Sequence, residues 1–490
     1  MRSKGEEQAP DKNFLIKGES VRASTIVKMA GGLAVGAAAL ALAACGSAHG
    51  TSPLEPPQAS NLERAQGLLG FEAGTNQIQH VVIIIQENRS FDNLFQGFPG
   101  ADTQSYGYDS SGKKITLAPA DLGTHWDVDH DAQAFFAACN GKGSYPGTDC
   151  QMNGFNKEGV QCGSGSFPRC PDKYPQYAYA PHDETKPYFE MAAQYVLADR
   201  MFSSNFDGSS FIAHQYLIAA QAGTAVNYPA PLWQWGCYGK QALIPTLTLW
   251  RAIDYSKRIA PCFNNKTLGD ELDEAHISWR FYTSSVHSNG GGNLWSPYAA
   301  IKQIFYGPDW KKDVINPQTT FFSDVEAGDL PTVSWITPIC PNSDHAPCAT
   351  NHGGPSWVTS LVNAVGESKY WNSTAIFVLW DDYGGWYDHV PPKKLDYDGL
   401  GFRVPLIVIS AYAKKGRVSH VPYEFGSILR FVEHRFGLAT LSFSDARATD
   451  PAGDCFDFNQ PPRKFQKIPS PLGKEYFLHQ LPDPRPPDDE

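Results

Sequence analysis

Five apolar runs punctuate the chain, at residues 81–85, 195–198, 332–336, 375–380 and 404–410. Each is continuous rather than alternating, the pattern of a strand covered on both faces. Between them, at 357–365 and 423–435, apolar residues recur at three and four, the period of an amphipathic helix. Strands alternating with helices predict an α/β fold, a mostly parallel central sheet with helices on both faces. In such sheets the chemistry gathers at the carboxyl ends of the strands, so the residues that leave each run carry the interest. Two stretches break the pattern. Residues 100–180 are rich in Gly, Cys, His and aromatics, and residues 225–300 are rich in Trp. Both read as loop-rich insertions roofing the sheet edge.

The N-terminal pattern is an address rather than a fold. Arg22 and Lys28 precede a small, apolar stretch from Met29 to Ala44, which reads as a secretory signal and is short for a membrane span. It ends in Leu42-Ala43-Ala44-Cys45, which resembles a bacterial lipobox with Cys45 as the acylated first residue of the mature chain. Ordinary cleavage near Ala44 or Ala48 is the alternative. Residues 1–44 are thus expected to be a signal peptide with lipobox, 45–75 a tether, 76–478 one domain and 479–490 a polar tail. The protein is expected to be exported and anchored at a bacterial envelope membrane through Cys45. Cysteine usage fits an oxidising compartment: Cys139 and Cys150, Cys162 and Cys170, Cys237 and Cys262, and Cys340 and Cys348 form close pairs, the simplest connectivity, with Cys455 left over.

A formal net charge of −11 without a long Lys/Arg run argues against nucleic acid and points to a small or amphiphilic partner. No protein partner is predicted. Two strand ends then become informative. The run "HVVIIIQENRS" delivers Glu87 and Asn88, and "TAIFVLWDDYGGWYDHVPP" delivers Asp381 and Asp382. Four hard oxygen donors at two buried strand ends make a site for a divalent cation. The bland alternative pairs Glu87 with Arg89 or Arg403 and leaves the aspartates as turn caps. In "SSNFDGSSFIAHQYLIAAQAG", Ser210 falls at a helix N-terminus, where free N–H groups favour a phosphate or an oxyanion; a plain N-cap is the competing reading. Histidines at 125 and 130, and at 345 and 352, lie in loop-like sequence and are suited to proton transfer near neutral pH.

The order ENRSFD, HxWDxxH, Gly-x-Ser-Phe, Ser-Asp-His and WDDxGGxxDHVPP resembles the bacterial phosphoesterase family of non-specific phospholipases C and acid phosphatases, over about 79–438. The resemblance implies an alkaline-phosphatase-like α/β fold and hydrolysis of phosphate esters through a phospho-enzyme. It makes Ser210 the nucleophile and Glu87, Asn88, Asp381 and Asp382 the ligands of one divalent ion, calcium, magnesium or zinc, with Asn88 also near the phosphoryl group. His125 is implied to contact a phosphoryl oxygen and His345 to be the second histidine, with His130 and His352 behind them. The sequence departs from the family in having Asp381-Asp382 where Asp-Glu is usual, Ser210 where Thr is common, and an insertion around Cys139–Cys170. The expected substrate is a phospholipid, cut in phospholipase C fashion, or a small phosphate monoester. Trp233, Trp235 and Trp295 read either as an aromatic surface for a choline headgroup or as packing under the roof. A catalytically inactive surface lipoprotein using the same fold for binding is the rival from another class. A sulfatase is disfavoured because no Cys-x-Pro-Ser/Ala-Arg run occurs.

Overall fold

The first apolar run forms strand β1, His80–Gln86, with only His80 short of full burial. Burial of its five branched aliphatics contributes on the order of 10 kcal/mol of transfer free energy, which explains why this segment lies inside the sheet and not at its edge. The computed structural model describes residues 75–162, 173–231, 235–287 and 294–481. The signal peptide, Cys45 and nearly all of the tether lie outside the described residues, as do Cys170, Trp233 and most of the tail.

The central sheet adds β2 Val196–Ala198, β3 Trp279–Tyr282, β4 Val314–Ile315, β5 Val333–Ile336, β6 Thr374–Trp380, β7 Leu406–Ser410 and β8 Arg417–Ser419. Their order in space is β4-β3-β5-β1-β6-β7-β2-β8. All run parallel except β7, which is antiparallel to both its neighbours. Each predicted run is one of these strands. Three strands have no counterpart in the apolar pattern, for visible reasons: β4 has two residues, β8 begins on exposed Arg417, and β3 places Arg280 among aromatics. Strand β3 also corrects the reading of 225–300 as a roof, because that stretch supplies part of the sheet itself and the helix Leu268–Glu274.

Four helices position the site: α1 Lys186–Gln194, α2 Ser210–Ala219, α3 Gly353–Gly366 and α4 Phe425–Phe436. The Phe377 ring of β6 meets Phe431 of α4, whereas Trp380, three residues on, meets Tyr188 of α1. Residues three apart on a strand point to opposite faces, so the helices cover both sides, as the α/β expectation requires. Helix α3 packs on α1, and α2 packs on α4.

Disulfides join Cys139 to Cys150, Cys237 to Cys262 and Cys340 to Cys348, and Cys455 is a buried free thiol. Trp235 is buried against Phe211 and Tyr228, and Trp295 is buried beside His345. Both serve packing, which removes them from any exposed headgroup surface. Among the described residues no helix is long and apolar enough to cross a membrane.

Candidate active site

Sheet register brings the two polar strand ends together. Gln86 at the end of β1 pairs with Trp380 at the end of β6, and the Asp381 N–H donates to the Gln86 carbonyl at 3.0 Å. Glu87-Asn88 and Asp381-Asp382 therefore leave adjacent parallel strands side by side. Gly384 permits this approach: its φ is +59°, and a Cβ there would lie 2.3 Å from the Asn88 carbonyl oxygen.

Helix α2 brings the third element. Its N-terminus is fixed by Asp207, whose carboxylate accepts from Ser209 N–H (3.0 Å), Ser209 Oγ (2.7 Å) and Asn227 N–H (2.6 Å). Gly208 allows the His130 loop to close on this turn, since a Cβ on it would sit 2.3 Å from the His130 carbonyl oxygen. Ser210 follows as the first residue of the helix, and its N–H donates to the Tyr228 hydroxyl at 3.2 Å.

The four carboxylate and amide residues divide into two groups. Ser210 Oγ donates to Asp382 Oδ2 at 3.2 Å and accepts from Asn88 Nδ2 at 3.0 Å. The same Asn88 nitrogen lies 2.9 Å from Asp382 Oδ2 and 3.0 Å from His130 Nε2, so its two hydrogens serve three acceptors. His130 donates Nδ1–H to the Val128 carbonyl at 2.7 Å, which leaves Nε2 facing Asn88 as an acceptor. Glu87 and Asp381 turn the other way, to His214, whose Nε2 is 2.9 Å from Glu87 Oε1 and 3.5 Å from Asp381 Oδ2. His214 lies one helical turn after Ser210, and the three ligand atoms of this cluster lie within 4.8 Å of one another.

Electrostatics mark the two aspartates differently. Burial tends to raise the Asp381 carboxyl, but the hydrogen bond and charge of His214, with Glu87 and Asp382, hold it below its ordinary value. Burial and the neighbouring Asp381 charge push Asp382 well above its ordinary value. The Asp381 oxygens are poorly satisfied, since the nearest donor, His214 Nε2, stands 3.5 Å from Oδ2. A buried carboxylate in that state is costly, and a cation between Glu87, His214 and Asp381 would remove the cost. The residues present therefore fit a metal ion.

The predicted residues are placed as follows. Glu87 and Asp381 belong to the candidate metal cluster, whereas Asn88 and Asp382, expected as further ligands, face Ser210. His125 is exposed, and the histidine of its loop that reaches Asn88 is His130. His345 is buried with its ring 5.9 Å from that of His130 and its Nδ1 4.0 Å from Asp127. His352 is exposed at the N-cap position of α3. Arg89 and Arg403, weighed as partners of Glu87, bond elsewhere. Arg89 donates to Asp344 O, Asn93 Oδ1 and Leu122 O, and Arg403 forms a two-pronged pair with Asp388. His214 was not among the expected residues, although its spacing of four from Ser210 on one helix is a readable signal.

Asp344 anchors the loop that carries His345. Its Oδ2 accepts from Tyr188 Oη at 2.8 Å and Trp380 Nε1 at 3.0 Å, and its carbonyl accepts from Arg89. Burial raises its carboxyl from 3.8 to about 6, against the pull of Arg89, Tyr188 and Trp380. Since the folded value lies above the unfolded one, the proton stabilises the fold. That contribution is complete below about pH 4 and is lost as pH rises through 6. An amide oxygen in place of Oδ2 keeps both hydrogen bonds, so Asp344→Asn should gain up to about 3 kcal/mol on the native protein near pH 7 and little near pH 4. Urea unfolding at both values reads the difference; an effect independent of pH would show that Asp344 does not titrate in this range.

Comparisons to known proteins give the family. The model of the Phosphoesterase family matches residues 78–439. The chain belongs to that family. This phosphoesterase is 24% identical over 455 residues to phospholipase C B of Mycobacterium tuberculosis, covering 82% of each chain. It is 23% identical over 406 residues to non-specific phospholipase C1 of Arabidopsis thaliana, covering 74% of this chain and 67% of the relative. A solved protein of the alkaline phosphatase superfamily from Vibrio parahaemolyticus overlaps 80% of each chain at 10% identity with a TM-score of 0.35. At that overlap the fold assignment rests on the sheet described above. The protein is a phosphoester hydrolase, which sets aside the rival reading as an inactive binding lipoprotein.

Proposed function

We propose that this phosphoesterase cleaves phospholipids in phospholipase C fashion, with Ser210 as nucleophile and a divalent ion held by Glu87, His214 and Asp381. The observation that carries the proposal is Ser210 at the N-terminus of α2, bonded to Asp382 and Asn88 and one turn from the Glu87–His214–Asp381 cluster. Ser210 Oγ attacks phosphorus and its hydroxyl proton passes to Asp382 Oδ2, a carboxylate whose raised proton affinity suits it to that task. Asn88 Nδ2 and the helix N-terminus face the phosphoryl oxygens, where negative charge gathers. The bond from phosphorus to the diacylglycerol oxygen breaks, and the leaving oxygen takes the proton that Asp382 Oδ2 received, while His130 Nε2, an acceptor, holds the Asn88 amide in place. Water then hydrolyses the phosphoserine. When bound, the ion supplies Lewis-acid stabilisation of charge on oxygen. An imidazole beside two carboxylates suits zinc or another transition ion better than calcium.

The names of the relatives favour a lipid substrate over a soluble monoester. Assaying the purified protein on phosphatidylcholine and on p-nitrophenyl phosphate, each with and without chelator, tests the assignment. Chelator-sensitive release of diacylglycerol is expected. Turnover of the monoester alone would reassign the protein as a phosphatase.

A further inference from the structure

Beside the site, the strands Ile244–Leu247 and Ile253–Ile259 form a two-stranded hairpin, with Thr248, Leu249, Trp250 and Arg251 at its tip. Leu249 is 85% and Trp250 70% exposed, the two most exposed residues of an adjacent apolar pair in the described chain. Hairpin tips ordinarily carry Asn, Asp or Gly. These two side chains are held outward by a fixed turn. Thr248 N–H donates to Ala252 O at 2.9 Å, Arg251 N–H donates to Thr248 O at 2.9 Å, and the Arg251 guanidinium lies 4.2 Å over the Phe206 ring. Tyr397 Oη donates to Leu247 O at 2.7 Å, which joins the tip to the loop that bears exposed Lys393, Lys394 and Leu395. Tyr145 closes the patch, stacked on Trp250 with ring centroids 5.9 Å apart and with Lys394 Nζ 4.1 Å from its own ring.

We infer that this tip is a membrane-docking element, whose partner is the surface of a phospholipid bilayer containing anionic lipid. A projecting Leu-Trp pair is shaped to enter a penetrable surface. Trp and Tyr settle at the headgroup level, Leu enters the acyl boundary, and flanking lysines meet lipid phosphates. The adjacent Lys393 and Lys394 stand out in a chain with a net charge of −11, which a lipid surface would otherwise repel. Backbone continuity links the tip to the nucleophile: Val226 N–H donates to Pro245 O of the hairpin at 3.2 Å, Asn227 N–H to Asp207, and Tyr228 Oη accepts from Ser210 N–H. Docking there would hold headgroups beside the site, an inference that rests on the phospholipase C reading for its purpose but not for its measurement.

The test uses the full chain carrying Ser210→Ala, so that vesicles are bound without turnover, and sedimentation with phosphatidylcholine/phosphatidylglycerol vesicles. Adding Leu249→Ser with Trp250→Ser should lower the partition constant about tenfold or more. Adding Lys393→Glu with Lys394→Glu should lower it by a similar factor and abolish its salt dependence. In the Ser210 background both pairs should turn over a soluble phosphate ester at the native rate, which also establishes that they fold. Partition unchanged in both pairs, or no vesicle binding by the parent, overturns the proposal. So does self-association in solution that the Leu249/Trp250 pair abolishes, since the patch would then be an interface between copies. Loss of the Ser210 mechanism would leave the vesicle measurement untouched, so the two failures are distinguishable.

Discussion

Ser210→Ala is expected to lower phosphate-ester turnover by about 10⁴-fold or more while leaving the protein folded. The hydroxyl has no structural duty that alanine cannot cover. Alanine is the best helix former, and Ser209 rather than Ser210 occupies the N-cap position of α2. The bond lost to Asp382 leaves that carboxylate still accepting from Asn88 Nδ2 at 2.9 Å and from Gly384 N–H at 2.7 Å, so the stability change should be about 1 kcal/mol. Chemically, nothing within hydrogen-bond reach of Asn88 replaces the lost oxygen, because its other acceptors are His130 and Asp382. Acid-quenched phosphoprotein should form with the native chain and be absent from the variant. Turnover within about tenfold of native in a folded Ser210→Ala protein would falsify the assignment of the nucleophile.

The strands legible in the sequence were those whose burial is two-sided. β1 and β6 are continuous apolar runs because helices cover both faces. β3, β4 and β8 escaped because strands of two to four residues, two of them containing arginine, carry no periodicity to read. The same logic applies to the site. That two acidic strand ends meet was legible from the sheet class alone. Their division into two groups was not, because both dipeptides lie beyond the last paired residues of β1 and β6, where the alternation of a strand no longer applies. With Gln86 beside Trp380, Glu87 falls with Asp381 and Asn88 with Asp382, as the hydrogen bonds show. The histidines were a different problem. His125 and His130 lie in a loop, where no period tells which side chain turns inward, and only the contact of Gly208 with the His130 carbonyl shows why that turn comes closest to Ser210.

His214→Ala should then be the substitution that separates metal binding from the rest of the chemistry. Its Nε2 lies 2.9 Å from Glu87 Oε1 and 3.5 Å from Asp381 Oδ2, and all three side chains are fully buried. Removing it leaves two carboxylates confined together with a methyl group between them. In the metal-free protein this should cost about 3 kcal/mol of stability, the usual result of deleting one partner from a buried charged set. Metal affinity should fall about 100-fold or more, since even the outer partners of metal ligands are worth 10- to 100-fold. Turnover should fall with it and recover in part when excess metal or free imidazole is supplied, because Ser210, Asn88 and Asp382 remain in place on their own hydrogen bonds. A purely structural histidine would behave differently: stability would drop, but metal content by mass spectrometry and the metal dependence of turnover would not move. Equal metal content in the native and variant proteins would take His214 out of the ligand set and leave Glu87 and Asp381 as a buried acidic pair whose proton, rather than a cation, relieves their repulsion.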